Sequence, residues 1–369
     1  MKKILFLIHD LGSGGAEKVL VNLVNNMDNT KFDITVCSMF AGGVYDNAFV
    51  PEVHFYTVFK KFFPGNSKLL KLLSPEQLHK LFVRGHYDIE VSYLEGPAAR
   101  VISGCQDEAT KLVSWIHVEQ HNFKALASSF RSKNEAQTCY NRFDQTVCVS
   151  EYVKQDFTSI LRYTRPCCVI YNTVESDKIR ELAKQDISID FKSDEINLIF
   201  AGTLKATKGQ DRLVNITAQL RNAGYPVHLY LLGEGSFRTN LEKQFTSLSL
   251  QKYVTLLGFD SNPYKYVAKS DLFVCASHAE GFSTAATEAL IVGTPVCTVE
   301  VSGMKEMLGE NNEYGIVTEN TDEALYQGIK TLLDDPALLE HYKQKAALRG
   351  NAFSTTETVA AVEEMLLAL

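Results

Sequence analysis

The sequence has little glycine and proline and no long apolar run. Only 22 glycines and 9 prolines occur in 369 residues, which excludes a collagen-like or low-complexity chain. No segment approaches the ~20 apolar residues that a membrane-spanning helix requires. The chain is also 45% hydrophobic and 10% aromatic, which excludes intrinsic disorder. We therefore expect a soluble globular protein of about two domains' length.

A basic excess is missing as well. The chain has 37 Lys+Arg against 44 Asp+Glu, a formal net charge of −7, so we expect no nucleic-acid partner. The negative charge is unevenly distributed, since residues 1–172 have a net charge of +2 and residues 173–369 have a net charge of −9.

Residues 59–86 contain six Lys and Arg and one Glu among leucines and phenylalanines. This amphipathic, helical pattern indicates a helix on an anionic membrane surface or an ordinary solvated helix.

The eight cysteines form no C-x-x-C motif, which is typical of a reduced, cytoplasmic compartment. The apolar run Ile4–Ile8 is interrupted by His9 and Asp10. It is shorter than the roughly 7–15 residues of a secretory signal core. We therefore predict a buried first strand and a cytoplasmic protein, peripheral at the inner face of the cell membrane if 59–86 binds lipid.

Short apolar runs alternate with helical patterns, which is typical of βαβ units and a parallel sheet. We predict an α/β fold of two doubly wound, Rossmann-like domains facing each other across a cleft. They span 1–172 and 196–350, with a linker at 173–195 and a C-terminal helix in 351–369. Ligands of such sheets bind at the carboxyl ends of the strands. The predicted strands are Ile4–Ile8, 32–39, Ile89–Tyr93, Lys111–Ile116, Gln145–Val149, Ile196–Ala201, Val227–Leu232, Val254–Leu257, Leu272–Cys275 and Val296–Val299.

A glycine loop follows the first predicted strand. Gly12, Gly14 and Gly15 open the first helix, where backbone N–H groups and the helix dipole favour a phosphate. A dinucleotide-binding loop requires glycine where Glu17 stands and an acidic residue after the second strand, and both are missing. The absence of these two residues disfavours a nicotinamide oxidoreductase. A tight turn that binds no ligand is the alternative to a phosphate-binding loop.

Glu280 and Glu288 flank the start of a predicted helix that follows a strand. Ser283 is the expected N-cap, which puts Glu280 in the loop and Glu288 in the second helical turn. Carboxylates placed there suit the paired hydroxyls of a sugar. On spacing alone, two solvated surface glutamates are the alternative.

The sequence around these glutamates resembles the E-x7-E region of the retaining GT-B glycosyltransferases, family 4 of the sequence classification. The resemblance covers residues 1 to about 320 in the family's order. Its blocks are Gly14-Gly15-Ala-Glu17, Trp115-Ile-His117, Ser150-Glu-Tyr-Val, Ile170-Tyr-Asn172, Ala201-Gly202-Thr-Leu with Lys208-Gly209, Leu232-Gly-Glu-Gly235, Leu257-Gly-Phe259 with Asn262-Pro-Tyr, Glu280-Gly-Phe with Glu288-Ala, Gly293-Thr-Pro-Val and Gly303-Met-Lys-Glu306.

This resemblance implies roles for particular residues. Glu280 and His117 are the expected catalytic residues beside the donor sugar, and Glu288 is expected to bind the ribose of a sugar nucleotide. The C-terminal helix is expected to pack back on the first domain. The implied donor-binding set is Gly14, Gly15, Gly202, Thr203, Lys208, Gly258, Phe282, Ser283, Thr284 and Glu288.

This sequence departs from the family pattern at one position, which is expected to lie beside the diphosphate of the donor. The family usually has Arg where Thr203 stands, and a hydroxyl cannot neutralise the negative charge of the diphosphate. Lys208 and the backbone amides of 282–284 are therefore expected to neutralise it, together with Lys205. A departing diphosphate requires a metal or fixed cations and dipoles. His117 and His121 lack the glutamate placement of a zinc protease, so we expect no metal and no cofactor.

We thus predict a retaining, metal-independent glycosyltransferase. Its donor is a nucleotide sugar, most simply UDP-linked, carrying a hexose or N-acetylhexosamine. Its acceptor is a saccharide or lipid-linked saccharide in capsule, exopolysaccharide or other surface-glycan synthesis. The alternative is a non-catalytic sugar-nucleotide-binding subunit acting with a partner transferase, and Thr203 favours it.

Overall fold

The computed structural model describes residues 1–12, 14–187, 189 and 191–369. Ser13 of the glycine loop and residues Ser188 and Asp190 of the predicted linker therefore lie outside the described residues. The chain divides into two compact units. Unit 1 comprises Met1–Thr173 with Thr355–Leu369, and unit 2 comprises Val174–Ser354.

Unit 1 is built on a seven-stranded parallel sheet. Its strands are β1 Lys2–Ile8, β2 Phe32–Phe40, β3 His54–Phe59, β4 Ile89–Ser92, β5 Lys111–Ile116, β6 Gln145–Cys148 and β7 Cys167–Val169. Its helices before residue 173 are α1 Gly15–Asn26, α2 Asn66–Leu70, α3 Pro75–Phe82, α4 Pro97–Ile102, α5 Phe123–Leu126, α6 Lys133–Tyr140 and α7 Glu151–Leu161. The spatial strand order is β3-β2-β1-β4-β5-β6-β7.

Unit 2 repeats this plan with six parallel strands. They are β8 Ile196–Ala201, β9 Val227–Leu232, β10 Val254–Gly258, β11 Leu272–Cys275, β12 Val296–Val299 and β13 Ile316–Thr318. The helices are α8 Ser176–Ala183, α9 Gln210–Asn222, α10 Arg238–Ser247, α11 Tyr264–Val267, α12 Thr284–Ile291, α13 Met304–Leu308, α14 Asp322–Asp334 and α15 Pro336–Gly350. The strand order is β10-β9-β8-β11-β12-β13.

Both sheets are doubly wound, as predicted. In each sheet the first strand lies near the centre and the chain proceeds outward to both sides, so helices cover both faces. β1 is apolar on both faces after its two lysines, which is typical of a strand buried in a parallel sheet. All five residues of Ile4–Ile8 have no exposed surface. Of the described helices, none is both long and apolar enough to cross a bilayer.

The sequence pattern missed three strands, and each lies at the edge of its sheet. β3, β7 and β13 are the outermost strands, and most of their residues are only partly buried. β7 and β13 have only three residues each, which is too short for a strand pattern to stand out in the sequence. The six residues of β3, His-Phe-Tyr-Thr-Val-Phe, are rich in aromatic and β-branched residues, a strand signal that the prediction did not use.

The helical pattern of residues 59–86 corresponds to two short helices rather than one. β3 ends at Phe59, and the rest contains two separate helices, α2 and α3. Gly65, at φ +81°, precedes α2. Ser74 caps α3 through a capping box with Gln77, and proline occupies the first helical position.

The predicted linker 173–195 contains α8. The buried side chain of Ile179 in α8 packs with Tyr264 and Ile291 in unit 2. The C-terminal helix, Thr355–Leu367, belongs to unit 1. Its Glu363 accepts hydrogen bonds from the backbone N–H of Asp28 (2.7 Å) and from Lys31 Nζ (2.9 Å).

Candidate active site

Two loops at the carboxyl edge of the unit 2 sheet pass in direct contact. One follows β8 and the other follows β11. Gly209 has a φ of +65°, and a Cβ there would lie 2.0 Å from the carbonyl oxygen of Ala276. The backbone N–H of His278 donates to the carbonyl of Thr207 at 2.9 Å. Glycine is required at 209 because any side chain would push these loops apart.

This crossing places Lys208 beside Glu280. Lys208 Nζ lies 2.7 Å from Oε1 and 2.8 Å from Oε2 of the carboxylate. The hydroxyl of Ser277 also donates to Glu280 Oε1 at 2.7 Å. The Glu280 side chain is 12% exposed and that of Lys208 is 31% exposed. Two predicted site residues, 72 positions apart in the chain, thus form one partly buried ion pair.

Helix α12 begins immediately after this pair. Ser283 is its N-cap, as predicted, and its hydroxyl accepts from the backbone N–H of Ala286 at 3.3 Å. Phe282 is buried before the cap, and Thr284 is the first helical residue. Glu288 lies in the second turn with only 8% of its surface exposed. The Tyr264 hydroxyl approaches Glu288 Oε1 at 3.5 Å, so the alternative of a solvated surface glutamate does not hold for Glu288.

Three further predicted residues end or follow strands at the same edge of unit 2. Gly202 follows β8 with a φ of +153°, and Gly258 ends β10 with a φ of +76°. The carbonyl of Thr203 accepts from Gln210 Nε2 at 2.9 Å. Gln210 follows this loop and is fully buried, and its Oε1 has no hydrogen-bond partner among the described residues.

In unit 1, three aromatic side chains gather where β4 and β5 end. The rings of Tyr93 and Trp115 are 5.0 Å apart, and those of Tyr93 and His117 are 4.8 Å apart. All three residues are at most 5% exposed. Across the described chain, no partner contacts the Tyr93 hydroxyl, Trp115 Nε1 or His117 Nε2. Buried polar atoms without a hydrogen bond are uncommon, and three of them close together are typical of a site for a polar ligand.

Burial controls the protonation of this cluster. It lowers the pKa of His117 to about 3, although a hydrogen bond to the backbone of Tyr93 opposes the shift. The imidazole is therefore neutral at pH 7, and one nitrogen can donate or accept a hydrogen bond. Burial raises the pKa of the Glu95 carboxyl, even though the backbone N–H of His117 donates to it at 3.0 Å.

The glycine loop lies at the same carboxyl edge of unit 1. Gly14 is the N-cap of α1, and Gly15 is its first residue. A Cβ at Gly14 would lie 2.2 Å from Glu17 Oε2, so this carboxylate covers the start of the helix. Glu17 also adds to the effect of burial, which raises the pKa of Tyr93.

Several site residues were not predicted. Ser277, Gln210, Tyr93 and Glu95 each lie within four residues of a strand end or a motif residue. That position is the signal that could have found them, since ligands of doubly wound sheets bind at the carboxyl ends of strands.

Comparisons with known proteins match both units. The model for glycosyltransferase family 4 matches residues 13–178, and the model for glycosyl transferases group 1 matches residues 183–349. A Campylobacter jejuni enzyme is 30% identical over 96% of this chain and 96% of its own. Its name is N-acetylgalactosamine-N,N'-diacetylbacillosaminyl-diphospho-undecaprenol 4-alpha-N-acetylgalactosaminyltransferase.

Solved structures support the same fold. The crystal structure of Anabaena Alr3699/HepE in complex with UDP-glucose superposes with a TM-score of 0.75 at 21% identity and covers 100% of both chains. Sucrose-phosphate synthase from Thermosynechococcus elongatus gives a TM-score of 0.78 at 16% identity, over 100% of this chain and 98% of the other. With both family models matched and a full-length relative at 30% identity, the chain belongs to the group 1 glycosyl transferases and has the GT-B fold.

Proposed function

We propose that this glycosyltransferase moves a hexose or N-acetylhexosamine from a UDP-linked donor to a lipid-linked saccharide in cell-surface glycan synthesis. It would do so with retention of anomeric configuration and without a metal. The observation that carries the proposal is the Lys208–Glu280 pair before the first turn of α12, with the buried carboxylate of Glu288 in the same helix.

The surroundings of the pair suit a departing nucleoside diphosphate. Negative charge grows on the diphosphate as the sugar–phosphate bond breaks, and fixed positive charge must stabilise it. Lys208 supplies a full charge, and the first N–H groups of α12 supply the positive end of the helix dipole. These groups support leaving-group stabilisation by the protein's own residues, which is the basis for proposing metal independence.

The carboxylates suit the sugar and the ribose. We assign Glu288 to the ribose hydroxyls and Glu280 to the donor sugar, because a carboxylate accepts two hydroxyl hydrogen bonds at once. HepE supports UDP as the nucleotide, since that protein was crystallised with UDP-glucose. The Campylobacter relative supports an N-acetylhexosamine and a diphospho-undecaprenol acceptor, because its name contains both.

The contacts of Glu280 favour retention without a covalent enzyme intermediate. Both carboxylate oxygens are engaged by Lys208, which weakens Glu280 as a nucleophile. In the proposed step, the acceptor oxygen bonds to the anomeric carbon on the face that the phosphate leaves. The acceptor proton passes to the departing phosphate oxygen. His117, neutral at pH 7, orients a sugar hydroxyl through a hydrogen bond.

The test is transfer by the purified protein from UDP-hexoses and UDP-N-acetylhexosamines to an undecaprenyl-diphosphate saccharide, with and without EDTA. We expect an NMR-defined product with the donor's anomeric configuration, unaffected by EDTA and abolished in Glu280→Gln. An inverted product would refute retention, and loss of activity in EDTA would refute metal independence. Donor binding without transfer or hydrolysis would instead support the non-catalytic subunit.

A basic apolar surface on unit 1 supports peripheral membrane association at the cytoplasmic face. We define it as exposed Phe62, Leu69, Leu72 and Leu81 with exposed Lys60, Lys61, Lys68 and Lys80. Phe62 is 61% exposed and Leu72 is 74% exposed, and exposed apolar groups among cations suit an anionic lipid surface. We propose that this surface contacts the membrane that carries the acceptor.

A further inference from the structure

A second cluster of reactive side chains lies in unit 1, away from the candidate active site. It is formed by His79 of α3, Glu90 of β4 and Cys105, which follows α4. Glu90 is the second residue of its strand, so the cluster is at the amino edge of the sheet. His117, in contrast, follows the carboxyl end of β5. Nothing in the proposed transfer reaction uses these three residues.

The three ligand atoms converge on one point. The side-chain nitrogen, oxygen and sulfur all lie within 4.8 Å of one another. His79 Nε2 is 2.7 Å from Glu90 Oε2. Glu90 and Cys105 are each 2% exposed, and the His79 side chain is 16% exposed. They line a cavity of about 200 Å³ together with His86 and Asp107.

An ion pair accounts for only part of this arrangement. A buried carboxylate requires a partner, and His79 supplies one for Glu90. Burial alone lowers the pKa of His79, but hydrogen bonds with Cys105 and Glu90 outweigh it and raise the pKa to about 9. The ion pair between His79 and Glu90 does not explain why the sulfur of Cys105 and a cavity both lie beside it.

The donor set matches the chemistry of zinc. Imidazole nitrogen, thiolate sulfur and carboxylate oxygen are its protein ligands, at about 2.0–2.3 Å. Ligand atoms around a tetrahedral zinc are therefore roughly 3.3–3.7 Å apart. The separations in the cluster are compatible with this value, since that between His79 Nε2 and Glu90 Oε2 is 2.7 Å and none exceeds 4.8 Å. Side-chain shifts of about 1 Å suffice to meet the geometry of the ion.

We propose that His79, Glu90 and Cys105 bind one zinc ion, with water from the adjoining cavity as the fourth ligand. Binding releases the Cys105 thiol proton and any proton on His79, because only the deprotonated groups coordinate. The ion links α3, β4 and the segment after α4, and the water leaves its fourth position open to exchange. It is assigned no step of sugar transfer.

The test uses the full chain after removal of metal by chelator and dialysis. Titration with Co²⁺ is expected to give a thiolate-to-cobalt charge-transfer band that saturates at one equivalent. Zn²⁺ is expected to displace the cobalt and raise the Tm. Zinc affinity, measured by competition with a chromophoric chelator, should fall in Cys105→Ser by more than the about 100-fold that loss of an outer-shell partner costs.

The matched control is Cys168→Ser, a partly buried cysteine on β7 in the same unit. It should keep the cobalt band and the zinc affinity of the wild type. Glu90→Gln keeps the side-chain shape but removes the charge, and it carries the test if Cys105→Ser fails to fold. The proposal is overturned if the folded wild type binds no stoichiometric cobalt, or if both substitutions at the cluster leave binding unchanged. No readout involves sugar transfer, so this outcome is independent of the proposed function.

Discussion

Lys208 Nζ lies within hydrogen-bond distance of both carboxylate oxygens of Glu280, at 2.7 and 2.8 Å. The cation proposed to bind the donor diphosphate therefore already has an anionic partner. Residues 173–369 also have a net charge of −9, so the surrounding field does not favour a diphosphate. A donor must share Lys208 with Glu280 or separate the pair, and the two residues are expected to act as one coupled group.

Replacement of Lys208 by methionine should impair transfer. The change removes one charge-assisted contact to the diphosphate and leaves Glu280 without its cation. We expect a loss of about 2–4 kcal/mol of transition-state stabilisation, or roughly 30- to 1,000-fold in kcat/KM for the donor. This kcat/KM is measured from initial rates of transfer at a series of donor concentrations. Lys252→Met, at an exposed position of the same unit, should retain wild-type kinetics, and an equal loss there would contradict a specific role for Lys208.

Glu288→Gln should weaken donor binding more than catalysis. Glutamine has nearly the same shape, but it loses the charged acceptor proposed for the ribose. A hydrogen bond to a charged group contributes about 1.5–3 kcal/mol, so donor KM should rise about 10- to 150-fold. The control is Glu340→Gln, at an exposed position of α15. An unchanged donor KM in Glu288→Gln would remove Glu288 from the donor site.

His117 should make unit 1 less stable in acid. Its pKa is about 3 in the folded protein, against an ordinary value of about 6.5. Between these pH values the unfolded chain binds a proton that the folded chain does not. The free energy of unfolding therefore falls as the pH is lowered from about 6.5 to 3, by up to about 1.4 kcal/mol per pH unit.

His117→Gln should remove this dependence, a difference of about 1.6 kcal/mol between pH 6.5 and pH 5. Urea unfolding can be followed by fluorescence, because Trp115 is the sole tryptophan and lies in unit 1. His54→Gln, at a histidine whose side chain is 68% exposed in the same unit, should keep the wild-type slope. If His117→Gln keeps that slope too, the buried neutral histidine is not its source.

The buried Arg100 should be necessary for the stability of unit 1. It is 1% exposed, pairs with Glu135 at 3.1 Å, and donates to the carbonyls of Leu70 and Leu73 at 2.9 and 2.7 Å. Arg100→Met removes the buried cation from Glu135 and takes one donor from each carbonyl, although Glu135 still accepts from the backbone N–H of Arg131 at 2.6 Å and the Leu70 carbonyl from that of Leu73 at 3.2 Å. We expect a cost of about 3–5 kcal/mol, measured by the same Trp115 fluorescence. Lys154→Met, which breaks the more exposed pair with Glu151, should cost less than about 1 kcal/mol.

The basic apolar surface should bind anionic vesicles. Arg131 fixes part of it by donating to the carbonyls of Lys71 and Leu72 at 2.6 and 2.7 Å. Each lysine near such a membrane contributes about 1 kcal/mol, so Lys68→Gln should weaken vesicle binding about fivefold, and added salt should weaken it further. Leu72→Ser should also weaken it, whereas Leu348→Ser, at a leucine 59% exposed in unit 2, should not. Equal co-sedimentation with neutral and anionic vesicles would argue against the membrane proposal.

The central strands were predictable because their apolar runs need no tertiary information. Lys111–Ile116, Ile196–Ala201 and Val227–Leu232 have the predicted bounds. A strand buried on both faces is mostly apolar, and its sequence alone shows this even where a buried polar residue such as Ser114 or His228 interrupts the run. The edge strand β3 also has a strand-like sequence, Phe-Tyr-Thr-Val-Phe after His54, and was not predicted. The helical periodicity of 59–86 did not reveal the interruption between α2 and α3.

The amino-acid sequence by itself determined the doubly wound α/β class, the N-cap at Ser283 and, through its motifs, the family. These features depend on residues that are close together in the chain. Only the tertiary structure decided that Lys208 pairs with Glu280, that His117 is buried and neutral, and that His79, Glu90 and Cys105 converge. Such contacts join distant segments, and their distances and burial follow from how loops and helices pack around the finished sheets, which local patterns do not specify.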